Sequence, residues 1–142
     1  MRESVREAFD AKRCTAATAV RLIKPGSHVF VGSACGTPRT LVQALEALNP
    51  PPADVELVHF ITNGALRLDD DGRVQTRYRH RCLYVANELR QAVQQGVADY
   101  VPVSIAQVPE LMRRGRLRID VALVQVSPPD EFGYVSLGVS VD

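Results

Sequence analysis

Three short segments carry residue types that can do chemistry. In the first, Gly32-Ser33-Ala34-Cys35-Gly36-Thr37-Pro38, glycines allow backbone to approach a ligand, Thr37 is a favoured helix N-cap and Pro38 suits a first helical position. Free N–H groups at such a helix start, together with the helix dipole, favour a carboxylate, a phosphate or a developing oxyanion. The spacing is neither G-x-G-x-x-G nor that of a loop ending in Gly-Lys-Ser/Thr, which argues against a dinucleotide or ATP site. The plain alternative is a tight strand-to-helix turn that binds nothing. Cys35 has the chemistry of a nucleophile, but no partner base is assignable to it. The second segment is Ser127-Pro128-Pro129-Asp130-Glu131-Phe132-Gly133-Tyr134. Its prolines stiffen a loop and Gly133 permits a turn, so it reads either as the rim of a ligand site or as a rigid hairpin connection. Adjacency of Asp130 and Glu131 does not establish an acid/base pair. The third, Arg79-His80-Arg81, could meet an anion, although its plainer reading is an exposed histidine between solvated arginines. His59, in mid-strand, reads as a satisfied core histidine.

The elements that must position these segments alternate along the chain. Thr15 can cap a short helix whose apolar positions Ala19, Val20, Leu22 and Ile23 lead to a Lys24-Pro25-Gly26 stop. His28–Val31 reads as a short buried strand, and Pro38–Leu48 as an amphipathic helix with Leu41, Val42, Leu45 and Leu48 on one stripe. Strands follow at Val55–Thr62, Cys82–Ala86, Asp99–Val103 and Val121–Val126, with a turn at Asp69–Gly72. Helices are expected at Asn87–Gln95 and Ala106–Arg114, stopped by Gly96 and Gly115. Short, nearly continuous apolar strands separated by helices imply an α/β fold: an open, mostly parallel sheet with helices on both faces. Tyr134–Ser140 follows Val126 after a short turn and is expected to pair antiparallel as a C-terminal hairpin. The second segment then lies at the carboxyl end of the most apolar strand, where open α/β sheets bind ligands.

Composition bounds the rest. The 142 residues, 46% hydrophobic, 23% charged and of net charge +1, suit one α/β domain over 1–142 and exclude a disordered tail, a collagen-like repeat or a disulfide knot. Fifteen arginines gather mainly at Arg73–Arg90 and Arg113–Arg118; solvated ion pairs and local anion binding are both open readings for them. An aromatic content of 6% without Trp equips a base-stacking surface poorly, and no nucleic-acid partner is expected. No apolar run approaches the ~20 residues of a membrane span. Cys14, Cys35 and Cys82 form no C-x-x-C pair and His28, His59 and His80 are scattered. Neither a metal site nor a tightly bound cofactor is therefore expected, and a reduced, cytoplasmic setting is. Gly138–Asp142 ends on a strand pattern with Asp142 placed like an N-cap, which suggests one domain of something longer.

Taken together, several ordered blocks resemble the N-terminal domain of the acetyl-CoA hydrolase/CoA-transferase family, which includes 4-hydroxybutyrate CoA-transferases. They are Gly32–Pro38, Arg79-His80, Arg90–Pro102, Val108–Leu111, Asp120–Asp130 and Phe132–Asp142. The resemblance implies two α/β domains with the active site between them. It also implies a glutamate that attacks the acyl-CoA thioester and carries CoA as a glutamyl thioester to an acceptor carboxylate, or to water in the hydrolases. That glutamate belongs to a C-terminal domain outside these 142 residues, so no residue here is assigned a catalytic role. The implied substrate-contacting set is Gly32, Ser33, Ala34, Cys35, Gly36, Thr37 and Pro38, with Ser127, Pro128, Pro129 and Gly133 shaping the cleft. Coenzyme A enters as a substrate. The implied partners are an acyl-CoA, a small carboxylate, the missing domain or a partner subunit, and further copies in a homo-oligomer. Where the family often has a glycine pair after the strand near Tyr84, this chain has Ala86-Asn87, whose Cβ atoms would crowd an approaching substrate. A stand-alone module that binds a small carboxylate or a partner without catalysis is the competing reading.

Overall fold

The computed structural model describes residues 2–62, 64, 66–85 and 87–140. In chain order it contains α1 (Glu3–Lys12), α2 (Ala16–Val20), β1 (His28–Val31), α3 (Arg39–Glu46), β2 (Glu56–His59), β3 (Arg67–Leu68), β4 (Val74–Gln75), β5 (Arg79–Cys82), α4 (Asn87–Gln94), β6 (Ala98–Tyr100), α5 (Val108–Arg113) and β7 (Val121–Leu123), with 3₁₀ turns at Ala34–Gly36 and Ile105–Gln107. Local signals act as expected at several ends. The Thr18 N–H donates to Thr15 Oγ1 at 3.2 Å, capping α2. Gly96 and Gly115, at φ +72° and +66°, end α4 and α5 in the left-handed conformation that costs an L side chain about 1 kcal/mol.

Five strands form one wholly parallel sheet in the order β6-β5-β2-β1-β7. From β1 the chain steps outward to β2, β5 and β6, then returns to β7 on the other flank of β1. The covering helices divide accordingly. Val20 and Ile23 near α2 and Val42, Leu45 and Leu48 on and after α3 pack on Val29, Val31, Leu57 and Leu123, while Leu89 and Ala92 of α4 pack on Cys82 and Ala98. On the opposite face Val108, Leu111 and Met112 of α5 meet Phe30, Val58 and Phe60. Helices on both faces, and the α/β class, are as the sequence implied.

Several boundaries differ. The expected strand at Cys82–Ala86 is displaced to Arg79–Cys82, because His80 and Cys82 supply the buried alternation while Arg79 and Arg81 turn to the other face. Residue 86, and with it the Ala86-Asn87 departure, lies outside the described residues, as does Asp142. The strand Val121–Val126 shortens to Val121–Leu123: the Gly32 N–H donates to the Leu123 carbonyl at 2.9 Å as the last rung before β1 turns away. The C-terminal hairpin adds no strand. Ser127 N–H reaches the Ser136 carbonyl at 2.8 Å and Asp130 N–H that of Tyr134 at 2.9 Å, yet residues 134–140 form no ladder. Pro128 and Pro129 lack the donors a ladder requires, and Asp130 Oδ1 turns the backbone by accepting from the N–H groups of Phe132 and Tyr134. Helix α1 and the small antiparallel pair β3–β4 were not anticipated. Residues Asp69 and Gly72, however, do form the expected turn between those two strands.

Candidate functional site

The strand order places a topological switch point between β1 and β7, and open parallel sheets bind ligands outside the carboxyl ends of strands at such a point. Both loops singled out by residue type leave from that edge. Gly32–Pro38 follows β1, and the chain beyond β7 runs into Ser127–Gly133. The first loop closely approaches the chain beyond the second, at Ser140. A Cβ on Gly36 would lie 3.1 Å from the Cβ of Ser140, tighter than side chains tolerate without a shift.

Within the first loop, Gly32, Ser33, Gly36, Thr37 and Pro38 are buried, Ala34 is half-buried and Cys35 is exposed. Ala34 takes φ +47°, a left-handed conformation costing roughly 1–2 kcal/mol for a residue with a Cβ. Two contacts hold it there: its N–H donates to the Ile61 carbonyl at 2.6 Å, and its carbonyl accepts the Thr37 hydroxyl at 2.9 Å. Thr37 is therefore not the N-cap of α3; Pro38 occupies that position with no side-chain cap. The expected row of free N–H groups is largely consumed inside the fold, because those of Gly32, Ala34, Gly36, Thr37 and Arg39 all donate to carbonyls of the chain itself. What the loop offers a ligand is shape, the Ser33 side chain and the exposed Cys35.

Ser33 opens on an apolar groove of about 590 Å³ between the sheet and α5, where Phe30, Phe60, Ile61, Tyr84, Val108 and Met112 contribute to the walls. That volume lies within the ~300–1,000 Å³ typical of ligand clefts. The second loop is arranged differently. Ser127 and Pro128 are exposed, and the Ser127 hydroxyl bonds the Pro128 carbonyl at 3.0 Å. Pro129 and Gly133 line a separate cavity against Ser4, Val5 and Phe9 of α1. There the Arg2 N–H donates to the Glu131 carbonyl and the Arg2 guanidinium lies 4.7 Å over the Phe132 ring. Of the Gly32–Pro38 loop the structure thus brings Ser33 to the groove, and it sets Pro129 and Gly133 under α1.

His80 corrects the exposed reading: it is 1% accessible. Its ring stacks on His59, centroids 5.0 Å apart, with His59 Nε2 2.9 Å from His80 Nδ1. Burial lowers the pKa of His59 to about 3, with the neighbouring His80 adding to the shift, and burial lowers His80 to about 4. Both are neutral at pH 7. Cys82, on the same side of the sheet, is raised to about 11, first by burial and then by Asp99, so it is no nucleophile. The arginines face elsewhere. Arg79 and Arg81 pair with the buried Glu56 at the amino edge of the sheet, Arg118 with Asp120, Arg113 and Arg114 with Glu110, and Arg77 with the carbonyls of Glu46 and Leu48. These are structural pairings, remote from the switch point. Among the described residues no group of three or more His, Cys, Asp or Glu could hold a metal, and no helix is long and apolar enough to cross a membrane.

A family model described as the acetyl-CoA hydrolase/transferase N-terminal domain matches residues 1–142. The chain belongs to the acetyl-CoA hydrolase/transferase family. Among relatives in that family, a 4-hydroxybutyrate coenzyme A transferase of Clostridium kluyveri is 40% identical over 136 residues, 96% of this chain and 32% of its own length. A succinyl-CoA:acetate/propanoyl-CoA:succinate CoA transferase of Fasciola hepatica is 34% identical over 122 residues, 84% of this chain and 25% of that protein. Among solved structures, RipA from Yersinia pestis superposes with a TM-score of 0.80 at 30% identity, covering 97% of this chain and 34% of RipA. The chain therefore spans about a third or less of the length of these relatives.

For this acetyl-CoA hydrolase/transferase domain, residue types alone located the Gly32–Pro38 loop. The groove beside it was not legible: Val108 and Met112 show as an apolar helix face, but nothing local says that part of that face stays open. The bend that sends both Phe60 and Ile61 to the groove breaks strand alternation, and the only local sign of it is the turn-forming Asn63-Gly64 that follows.

Proposed function

We propose that this chain forms one wall of the active site of an acyl-CoA:carboxylate CoA-transferase or acetyl-CoA hydrolase. The other wall, with the glutamate that forms a glutamyl-CoA thioester, would come from a second domain or a partner subunit. The observation that carries this reading is the convergence of the Gly32–Pro38 loop with the chain beyond β7 at the switch point, sealed by the Gly32–Leu123 bond and the Gly36–Ser140 approach. Ser33 and its loop meet the acyl or carboxylate end of the substrate. Ser127 and Pro128 shape the rim, and Pro129 and Gly133 hold that rim through α1. Coenzyme A is a substrate here, and the setting is cytoplasmic. No glutamate of this chain is assigned that role; Glu56 is buried in ion pairs at the opposite edge, and Glu110 pairs with Arg113 and Arg114.

The test is thioester exchange by the purified 142-residue chain, with acetyl-CoA or butyryl-CoA as donor and labelled acetate as acceptor. The expected result is no exchange, with weak carboxylate-induced shifts at Ser33 and Cys35 in NMR spectra. Exchange by the chain alone would place the nucleophile within it and overturn the assignment. Tight carboxylate binding by the isolated chain would favour the stand-alone module instead.

A further inference from the structure

The His59–His80 pair is part of a polar string whose proton positions can be followed from one end to the other. The Thr76 hydroxyl donates to the Tyr78 carbonyl at 3.0 Å, which leaves Thr76 Oγ1 as an acceptor for His80 Nε2, 2.6 Å away. With the Thr76 hydroxyl hydrogen on that carbonyl, His80 carries its proton on Nε2 and its Nδ1 accepts from His59 Nε2–H at 2.9 Å, an assignment the experiment below tests. The string then ends on a bare lone pair at His59 Nδ1. His59 is 0% accessible and this atom has no partner; the same holds for Thr62 Oγ1, three residues further on. Unpaired buried polar atoms of this kind cost about 1–3 kcal/mol each and call for a donor.

We propose that an internal water bridges His59 Nδ1 and Thr62 Oγ1, and that the string Thr76–His80–His59–water–Thr62 is the positioning device for the Gly32–Pro38 loop. Phe60 and Ile61 both line the groove, so alternation breaks between them, while Thr62 is fully buried; the proposed bridge requires its hydroxyl to lie on the side of the chain that carries His59. The water donates one hydrogen to His59 Nδ1 and exchanges the second bond with the Thr62 hydroxyl, a polar site with two partners of the kind that retains water. Pinning Thr62 fixes the bend, and the bend presents the Ile61 carbonyl that accepts the N–H of Ala34 in its left-handed conformation. The histidines touch no substrate; they act through Ile61. Only the consequence for substrate rests on the function proposed above, whereas the string and its effect on Ala34 do not.

The experiment uses the ¹⁵N-labelled 142-residue chain and needs no catalysis. Long-range imidazole correlations at pH 7 are expected to show both His59 and His80 as the Nε2–H tautomer, with a water cross-peak to the Thr62 methyl group. Thr62→Val is expected to speed amide exchange at Ala34 about ten-fold, the loss of one ordinary hydrogen bond's worth of protection. Exchange in α4 should stay unchanged, and Thr62→Ser should restore the wild-type rate. A proton on His59 Nδ1, no water at Thr62, or Ala34 exchange unchanged in Thr62→Val would overturn the proposal. If Thr62→Val does not fold, the wild-type tautomers and the Thr62→Ser exchange rates decide it alone. A failed transferase assay with this network intact would count against the proposed function and not against the network.

Discussion

At the scale of single residues, the two histidines set the acid response. Their folded pKa values, about 3 and about 4, lie below the unfolded value near 6.5, so the unfolded chain binds protons that the fold refuses. Stability is full above pH 6.5 and falls as pH drops below it, by up to about 2–3 kcal/mol per pH unit while both unfolded imidazoles are charged and both folded ones neutral. Urea midpoints at pH 7, 6 and 5 should show this slope, and His80→Gln should roughly halve it. Below pH 4 the carboxylates take over, in the same direction. Asp120, held at about 2 first by the His28 N–H and further by Arg118, supports the fold above its unfolded value and stops doing so as it protonates. Gly36 is the other telling residue. Its φ is ordinary, so Gly36→Ala carries no backbone strain, but the new Cβ meets Ser140. Residues 138–140 should be pushed off the loop, seen as faster proteolysis there with a melting temperature little changed.

At the scale of elements, α3 is anchored by Leu45, 1% accessible, whose carbonyl also accepts the Tyr78 hydroxyl at 2.8 Å. Leu45→Ala should cost about 2–5 kcal/mol by denaturant unfolding and Tyr78→Phe about 1 kcal/mol, because the first opens a cavity and the second loses a single hydrogen bond. Elsewhere a buried carboxylate joins the strands. Glu56, 4% accessible, has Arg81 at 3.1 Å as its nearest cation. Arg81→Met leaves that charge with the more distant Arg79 and His28 and should destabilise by about 3 kcal/mol, whereas adding Glu56→Met should restore much of the loss. A double change worse than the single one would mean that the pair itself, and not the stranded charge, carries the stability.

At the scale of the whole molecule, apolar surface is left in view. The groove beside α5 includes Ile105 at 64% accessibility and Tyr84 at 48%, and the chain after β7 adds Val135 at 53% and Val139 at 89%. Patches of this kind mark interaction surfaces. The isolated chain should bind a hydrophobic dye and self-associate with rising concentration, as sedimentation can measure; a strictly monomeric species at high concentration would show that these residues need no cover.

Periodicity and turn chemistry were enough to read the parallel α/β class, α3 with its Leu41–Leu48 stripe, the helix stops at Gly96 and Gly115 and the loop at Gly32–Pro38, because those signals act within a few residues of where they are written. Pairing is a different matter. That β7 returns beside β1, that His80 stacks on His59 twenty-one residues away, that the Ala34 N–H finds the Ile61 carbonyl, and that Pro129 and Gly133 sit under α1 all depend on contacts between segments distant in the chain. Flanked by two arginines, His80 looked solvated; only the alternation of β5 against β2 turns its ring inward. The chemistry available at the site was written locally, and tertiary packing decided which of those groups meet, because burial and hydrogen-bond partners exist only once the strands are side by side.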